Sequence, residues 1–95
     1  MGKDVSFKNR DRFIQLGIVI ASLRRVRGLS QEALADKAGI SRSSLSVIEA
    51  PNAAHNFSME MFFDIADALE ITPVDLLKAS VFPDNIINKK GDFLG

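Results

Sequence analysis

The stretch from Ser30 to Glu49 constrains this chain more than any other. It spells two helices too short to stand alone, hinged on a single glycine. Ser30 offers a side-chain acceptor to the free N–H groups of a helix start, and Glu32 puts a negative charge in the first turn, where the helix dipole favours it. Leu34, Ala35 and Ala38 then fall on one side of that helix. Gly39 follows at once, the residue that takes a left-handed conformation without a Cβ clash. Ser41 restarts a helix whose Leu45 and Ile48 point inward. Isolated helices shorter than roughly 12 residues are marginal in water because nucleation is costly, so this pair must pack on something else. The methyl side chain of Ala35 lets the two helices approach closely where they cross.

The flanking sequence supplies what they pack on. Phe13, Leu16, Ile20, Leu23 and Val26 recur every three or four residues and form the stripe of a preceding helix. Gly28 stops it, with Arg24, Arg25 and Arg27 in the last turn, where cations suit the dipole. After Pro51 and a loop at Asn52–Asn56, Ser58 caps a fourth helix with Phe62, Ile65, Ala66 and Leu69 on its buried side. Thr72-Pro73-Val74-Asp75 joins a cap, a proline at the first helical position and an acid two residues on, so a fifth helix starts there with Leu76 and Leu77 as its core residues. No segment reads as a strand. The sequence therefore predicts an all-α domain of five short helices over residues 13–80, preceded by a polar, flexible arm at 1–12.

Residues 81–95 form a different kind of segment, with Val81, Phe82, Ile86, Ile87, Phe93 and Leu94 interrupted by Pro83 and Gly91. Burying each large apolar side chain is worth about 1.5–3 kcal/mol, and a five-helix core has limited room for six more. Val81, Phe82, Ile86 and Ile87, with Phe63, are thus candidates for a dimer interface. The alternative is a tail folded back on its own domain.

Charge and composition narrow the function. Twelve Lys+Arg balance twelve Asp+Glu. Through Glu49, however, basic residues outnumber acidic ones nine to five, and beyond it acids lead seven to three. Such a dipolar chain can turn a basic side toward a polyanion, while its neutral total argues against tight, indiscriminate nucleic-acid binding. There is no cysteine, so neither a disulfide nor a cysteine metal site is available. His55 is the single histidine and has no nearby carboxylate set to complete a metal site. Ser41, Ser43, Ser44 and Ser46 have no general base at triad-like spacing, and no glycine-rich phosphate loop is present. The expectation is a non-enzyme with no cofactor, metal or small-molecule ligand. No apolar run approaches the roughly 18 residues of a membrane span, and no secretory segment is evident, so a cytoplasmic protein is expected.

With Leu45 and Ile48 inward, Arg42, Ser43, Ser46, Val47 and Ala50 occupy the opposite, exposed side of the third helix. A helix with such a side fits a DNA major groove about 12 Å wide. The whole run Gly28-Leu29-Ser30-Gln31-Glu32-Ala33-Leu34-Ala35-Asp36-Lys37-Ala38-Gly39-Ile40-Ser41-Arg42-Ser43-Ser44-Leu45-Ser46-Val47-Ile48-Glu49 resembles the helix-turn-helix of the phage repressor and Cro family. The likeness extends to Leu23-Arg24 before it and to Ser58-Met59-Glu60 and Ile65-Ala66-Asp67-Ala68-Leu69 after it, covering the chain from near Leu16 to near Ser80.

This resemblance implies a five-helix, repressor-like domain with the helix-turn-helix at the second and third helices. It also implies a bacterial or phage transcriptional regulator that binds double-stranded DNA as a homodimer on a pseudo-palindromic operator. By the same resemblance, Gln31 and Ser41 contact phosphate, Arg42, Ser43, Ser46 and Val47 meet bases, and Gly39 makes the turn. Arg24 and Glu49 match the family's structural ion pair. Arg42 suits bidentate pairing with guanine, a discrimination worth roughly 1–3 kcal/mol. Val47 stands where the family is often polar or basic, and is either a tolerated surface valine or a group that touches a thymine methyl. Two departures bear on affinity. The segment Ala50–Asn56 is longer than usual and lacks Lys or Arg, and Glu70 replaces the usual helix-ending glycine. The neutral total charge, Val47 and the uncharged loop after Ala50 motivate a second reading: a protein-interaction module that keeps the fold with weak DNA affinity and uses the apolar tail as its partner surface.

Overall fold

The computed structural model describes residues 5–51, 54 and 56–81. A short 3-10 turn, Phe7–Asn9, leads into α1 (Arg10–Val26), followed by α2 (Gln31–Ala38), α3 (Arg42–Glu49), α4 (Met59–Ala68) and α5 (Pro73–Val81). Among the described residues there is no strand. Each helix after the first begins on a hydroxyl. Ser30 Oγ accepts from Ala33 N at 3.0 Å, Ser41 Oγ from Ser44 N at 3.0 Å, Ser58 Oγ from Met61 N at 3.1 Å and Thr72 Oγ1 from Asp75 N at 3.1 Å. Every one of these bonds satisfies a helix-terminal N–H that has no partner within its own helix.

Three helices also end alike. After α1, Gly28 N donates to Arg25 O and Leu29 N to Arg24 O. After α2, Gly39 N reaches Asp36 O and Ile40 N reaches Ala35 O. After α4, Glu70 N reaches Asp67 O and Ile71 N reaches Ala66 O. This paired pattern requires a left-handed residue at the turn. Gly28 and Gly39 supply it with φ of 75° and 74°, and Glu70 supplies it with φ of 61° despite its Cβ.

The core is made where the five helices converge. Ile20, Leu34, Leu45, Ile65, Leu69 and Leu76 have essentially no solvent exposure. α1 packs along α5 and also crosses α3, and α2 lies against both α3 and α4. The α1–α3 crossing is very tight, since a Cβ at Gly17 would collide with the Ile48 carbonyl oxygen. Phe13 and Phe57 meet edge-on, with ring centroids 5.7 Å apart, and fasten the start of α1 to the segment before α4.

Several expectations need correction. α1 starts at Arg10 rather than Phe13, so part of the segment read as a flexible arm is helical. That first turn is polar and exposed, and no apolar period announces it; Arg12 Nη1 donates to Asn9 Oδ1 at 2.7 Å across it. Val26, assigned to the buried stripe, is 73% exposed, because the stripe runs off the end of the core. Leu77 is 46% exposed while Leu76 is fully buried. Neighbouring residues lie about 100° apart around a helix with 3.6 residues per turn, and Leu77 falls beyond the side of α5 that the core covers. Val81 closes α5; Phe82, Ile86 and Ile87 of the candidate dimer segment lie outside the described residues, as does His55.

Candidate nucleic-acid interface

α3 owes its two-sided character to eight residues. Leu45 and Ile48 are buried at 0% and 6% exposure, while Arg42 and Ser43 are exposed, Val47 is 38% exposed and Ser46 and Ala50 are half-buried. The outward side therefore carries a guanidinium and small hydroxyls at its N-terminal end, followed one turn later by a valine. Ser41 lies exposed at the cap, but its hydroxyl is occupied. It accepts from Ser44 N and donates to Ser44 Oγ at 2.8 Å.

The other end of α3 is anchored. Arg24 Nε donates to Glu49 Oε2 at 2.9 Å and Arg24 Nη2 to Glu49 Oε1 at 3.0 Å, a bidentate pair in which the Glu49 side chain is only 4% exposed. Arg24 Nη1 donates to the Leu29 carbonyl at 2.8 Å, and Gln31 Nε2 adds a further bond to Glu49 Oε1 at 2.9 Å. One carboxylate thus joins the last turn of α1, the first residue of α2 and the last residue of α3. Burying a charge is costly unless it is paired and hydrogen-bonded, and three N–H donors supply that compensation here. Among the described residues no buried side-chain nitrogen or oxygen lacks a partner.

The residues singled out in the sequence thus fall into separate places. Arg24, Gln31 and Glu49 come together inside the clamp. Arg42, Ser43, Ser46 and Val47 come together on the outward side of α3. Gly39 sits in the left-handed turn between α2 and α3, and Phe63 projects from α4, 44% exposed and far along the chain from either group. Two further residues position the site and were not anticipated. Gly17 admits α3 to α1, and Arg27 Nε donates to the Leu69 carbonyl at 2.7 Å, tying the end of α1 to the end of α4. Both depend on partners more than 30 residues away, so no local pattern marks them. A glycine in the middle of an apolar helical stripe was the one available hint, since such a residue usually marks a close approach.

Two short helices joined by a left-handed glycine, the second presenting an open polar side, define a helix-turn-helix. The chain belongs to the helix-turn-helix domain family, whose model matches residues 17–80. It is 34% identical to the restriction-modification controller protein C.AhdI from Aeromonas hydrophila, with a TM-score of 0.62 over 67% of this chain and 94% of that one. It is 32% identical to SinR, a master regulator for biofilm formation solved in complex with DNA, with a TM-score of 0.59 over 65% of this chain and 97% of that one. The clp gene regulator ClgR from Corynebacterium glutamicum superposes with a TM-score of 0.66 at 25% identity, over 75% of this chain and 72% of that one. No curated protein matches the chain. Among the described residues, no helix is long and apolar enough to cross a membrane.

Proposed function

We propose that this protein is a transcriptional regulator that binds double-stranded DNA sequence-specifically, as a homodimer on a pseudo-palindromic operator. The observation that carries this reading is the division of α3, whose exposed N-terminal end bears Arg42 and Ser43 while its C-terminal end is fixed by the Arg24–Glu49–Gln31 network. A rigidly held helix with an open end can enter a major groove and keep its register there. Arg42 reads guanine O6 and N7, and Ser43 and Ser46 reach base edges or backbone from the same side. Gln31 has a second amide proton beyond the one given to Glu49, and with Ser41 it flanks the two helix N-termini that face phosphate. The relatives solved as controllers and regulators, one of them with DNA, support this assignment.

Two copies would set their α3 helices in successive major grooves about 34 Å apart. Phe63 on α4, Val81 and the apolar residues that follow are the surface we assign to the dimer. The protein acts in the cytoplasm, without a cofactor and without catalysis. Selection from a random DNA pool tests the reading: a two-fold symmetric consensus is expected, with affinity that falls as salt rises. Affinity indifferent to sequence at every salt concentration overturns it. Sedimentation at monomer mass at micromolar concentration overturns the dimer.

A further inference from the structure

Val47 is the exposed large apolar residue on the outward side of α3, and it does not stand alone. It borders a notch of about 280 Å³ between α3 and the start of α4, lined by Ser43, Ser44, Ile48, Asn56, Phe57 and Met61 as well. Ser43 precedes Val47 by four residues, which places the two side chains one above the other on the same side of the helix. In a helix, valine keeps essentially one rotamer, so its methyl groups are already fixed and little entropy is lost on contact.

We propose that Ser43 and Val47 together read one thymine in each half-site, Ser43 donating its hydroxyl proton to O4 and Val47 packing against the 5-methyl group. The inference rests on the DNA-reading role of α3 proposed above and names what that surface recognises. Of the four base edges in the major groove, thymine alone offers a methyl group, and valine can neither donate nor accept a hydrogen bond. Among the residues lining the notch, Val47, Ile48, Phe57 and Met61 supply carbon surface that gains from excluding water. Ser43 follows Arg42 directly, so the thymine read by Ser43 and Val47 lies in the same half-site as the guanine read by Arg42.

The experiment uses the full chain and the duplex selected from the random pool, with each thymine replaced in turn by uracil, which deletes only the 5-methyl group. One position per half-site should lose about fourfold in affinity, the worth of one buried methyl. Val47→Ala should abolish that dependence, whereas Arg42→Ala should weaken binding and keep it. Replacing the same thymine by 5-methylcytosine should bind about fourfold better than replacing it by cytosine, because the methyl group is restored. Equal binding of every uracil duplex overturns the assignment while leaving the reading of α3 intact, provided Arg42→Ala still relaxes the guanine preference. A uracil penalty that survives Val47→Ala assigns the methyl to another group and overturns it too. Failure to select any consensus overturns the assignment and the underlying reading together.

Discussion

The two ends of α3 are built on opposite principles. At Glu49 both carboxylate oxygens accept hydrogen bonds, the side chain is 4% exposed, and the donors come from two other helices, α1 and α2. At Arg42 and Ser43 the side chains are exposed and held only by the helix that carries them. The comparison teaches that stability and recognition are separated along eight residues: the C-terminal end fixes where the helix lies, and the N-terminal end decides what it can touch. Substitutions at the first end should register in folding, and those at the second only in binding.

Glu49→Ala tests the anchored end most severely. It leaves the Arg24 guanidinium 11% exposed with one carbonyl partner, and it removes the partner of Gln31 as well. Breaking a buried pair from one side costs roughly 3–5 kcal/mol, so chemical denaturation should show most of the stability of a domain this small to be gone. A loss below about 1 kcal/mol, the range of exposed pairs, would mean that the clamp does not anchor α3.

Gly17→Ala probes the same end through packing. The added methyl must push α1 away from the Ile48 carbonyl, which is backbone and cannot yield as a side chain would. Overpacking of this kind costs about 1–3 kcal/mol. At an ordinary helix position the same change would stabilise by about 0.5–1 kcal/mol, so the sign of the shift in denaturation midpoint decides the matter.

Arg42→Ala addresses the free end. Its side chain makes no packing contact that the core depends on, so stability should stay within about 0.5 kcal/mol of the parent. Affinity for the selected duplex should fall by about 1–3 kcal/mol, with relaxed preference at one guanine per half-site. An unchanged affinity would favour the protein-interaction reading, to which the uncharged segment after Ala50 already gives some support.

The same division explains what could be read from the sequence. The starts of α2 to α5 were legible because each cap bond joins residues three apart, as in Ser30 to Ala33 or Thr72 to Asp75, whereas α1 has no such cap bond and its start was misplaced. The outward side of α3 was legible too, because Leu45 and Ile48 fix the helix phase. What escaped depends on distant partners. Nothing near Gly17 mentions Ile48, nothing near Arg27 mentions Leu69, and the choice of Leu76 over Leu77 rests on the direction from which α1 approaches α5. The role of Arg24 and Glu49 came only through resemblance, since 25 residues separate them and many other ion pairs were conceivable. Gln31, assigned to phosphate by the same resemblance, spends an amide proton on Glu49, a use visible only once α2 and α3 are folded together.

Glu70 gives the smallest effect and a control for all the others. It performs at the end of α4 the turn that glycine performs after α1 and α2, with φ of 61°. A residue with a Cβ pays roughly 1–2 kcal/mol in that conformation, and Glu70→Gly relieves it. Part of the gain is returned because glycine has more conformational freedom in the unfolded chain, a cost of about 0.4–1 kcal/mol. The net stabilisation should be about 0.5–1 kcal/mol, a rise of a few degrees in Tm for a domain of this size. Gly39→Ala should shift Tm in the opposite direction, because the alanine would then sit at φ of 74°. Glu70 lies on neither end of α3, so Glu70→Gly should leave affinity for the selected duplex unchanged. If added stability at this remote turn also altered DNA affinity, the division between anchored and reading ends would fail, because α3 would then respond to the firmness of the whole fold rather than to its own two termini.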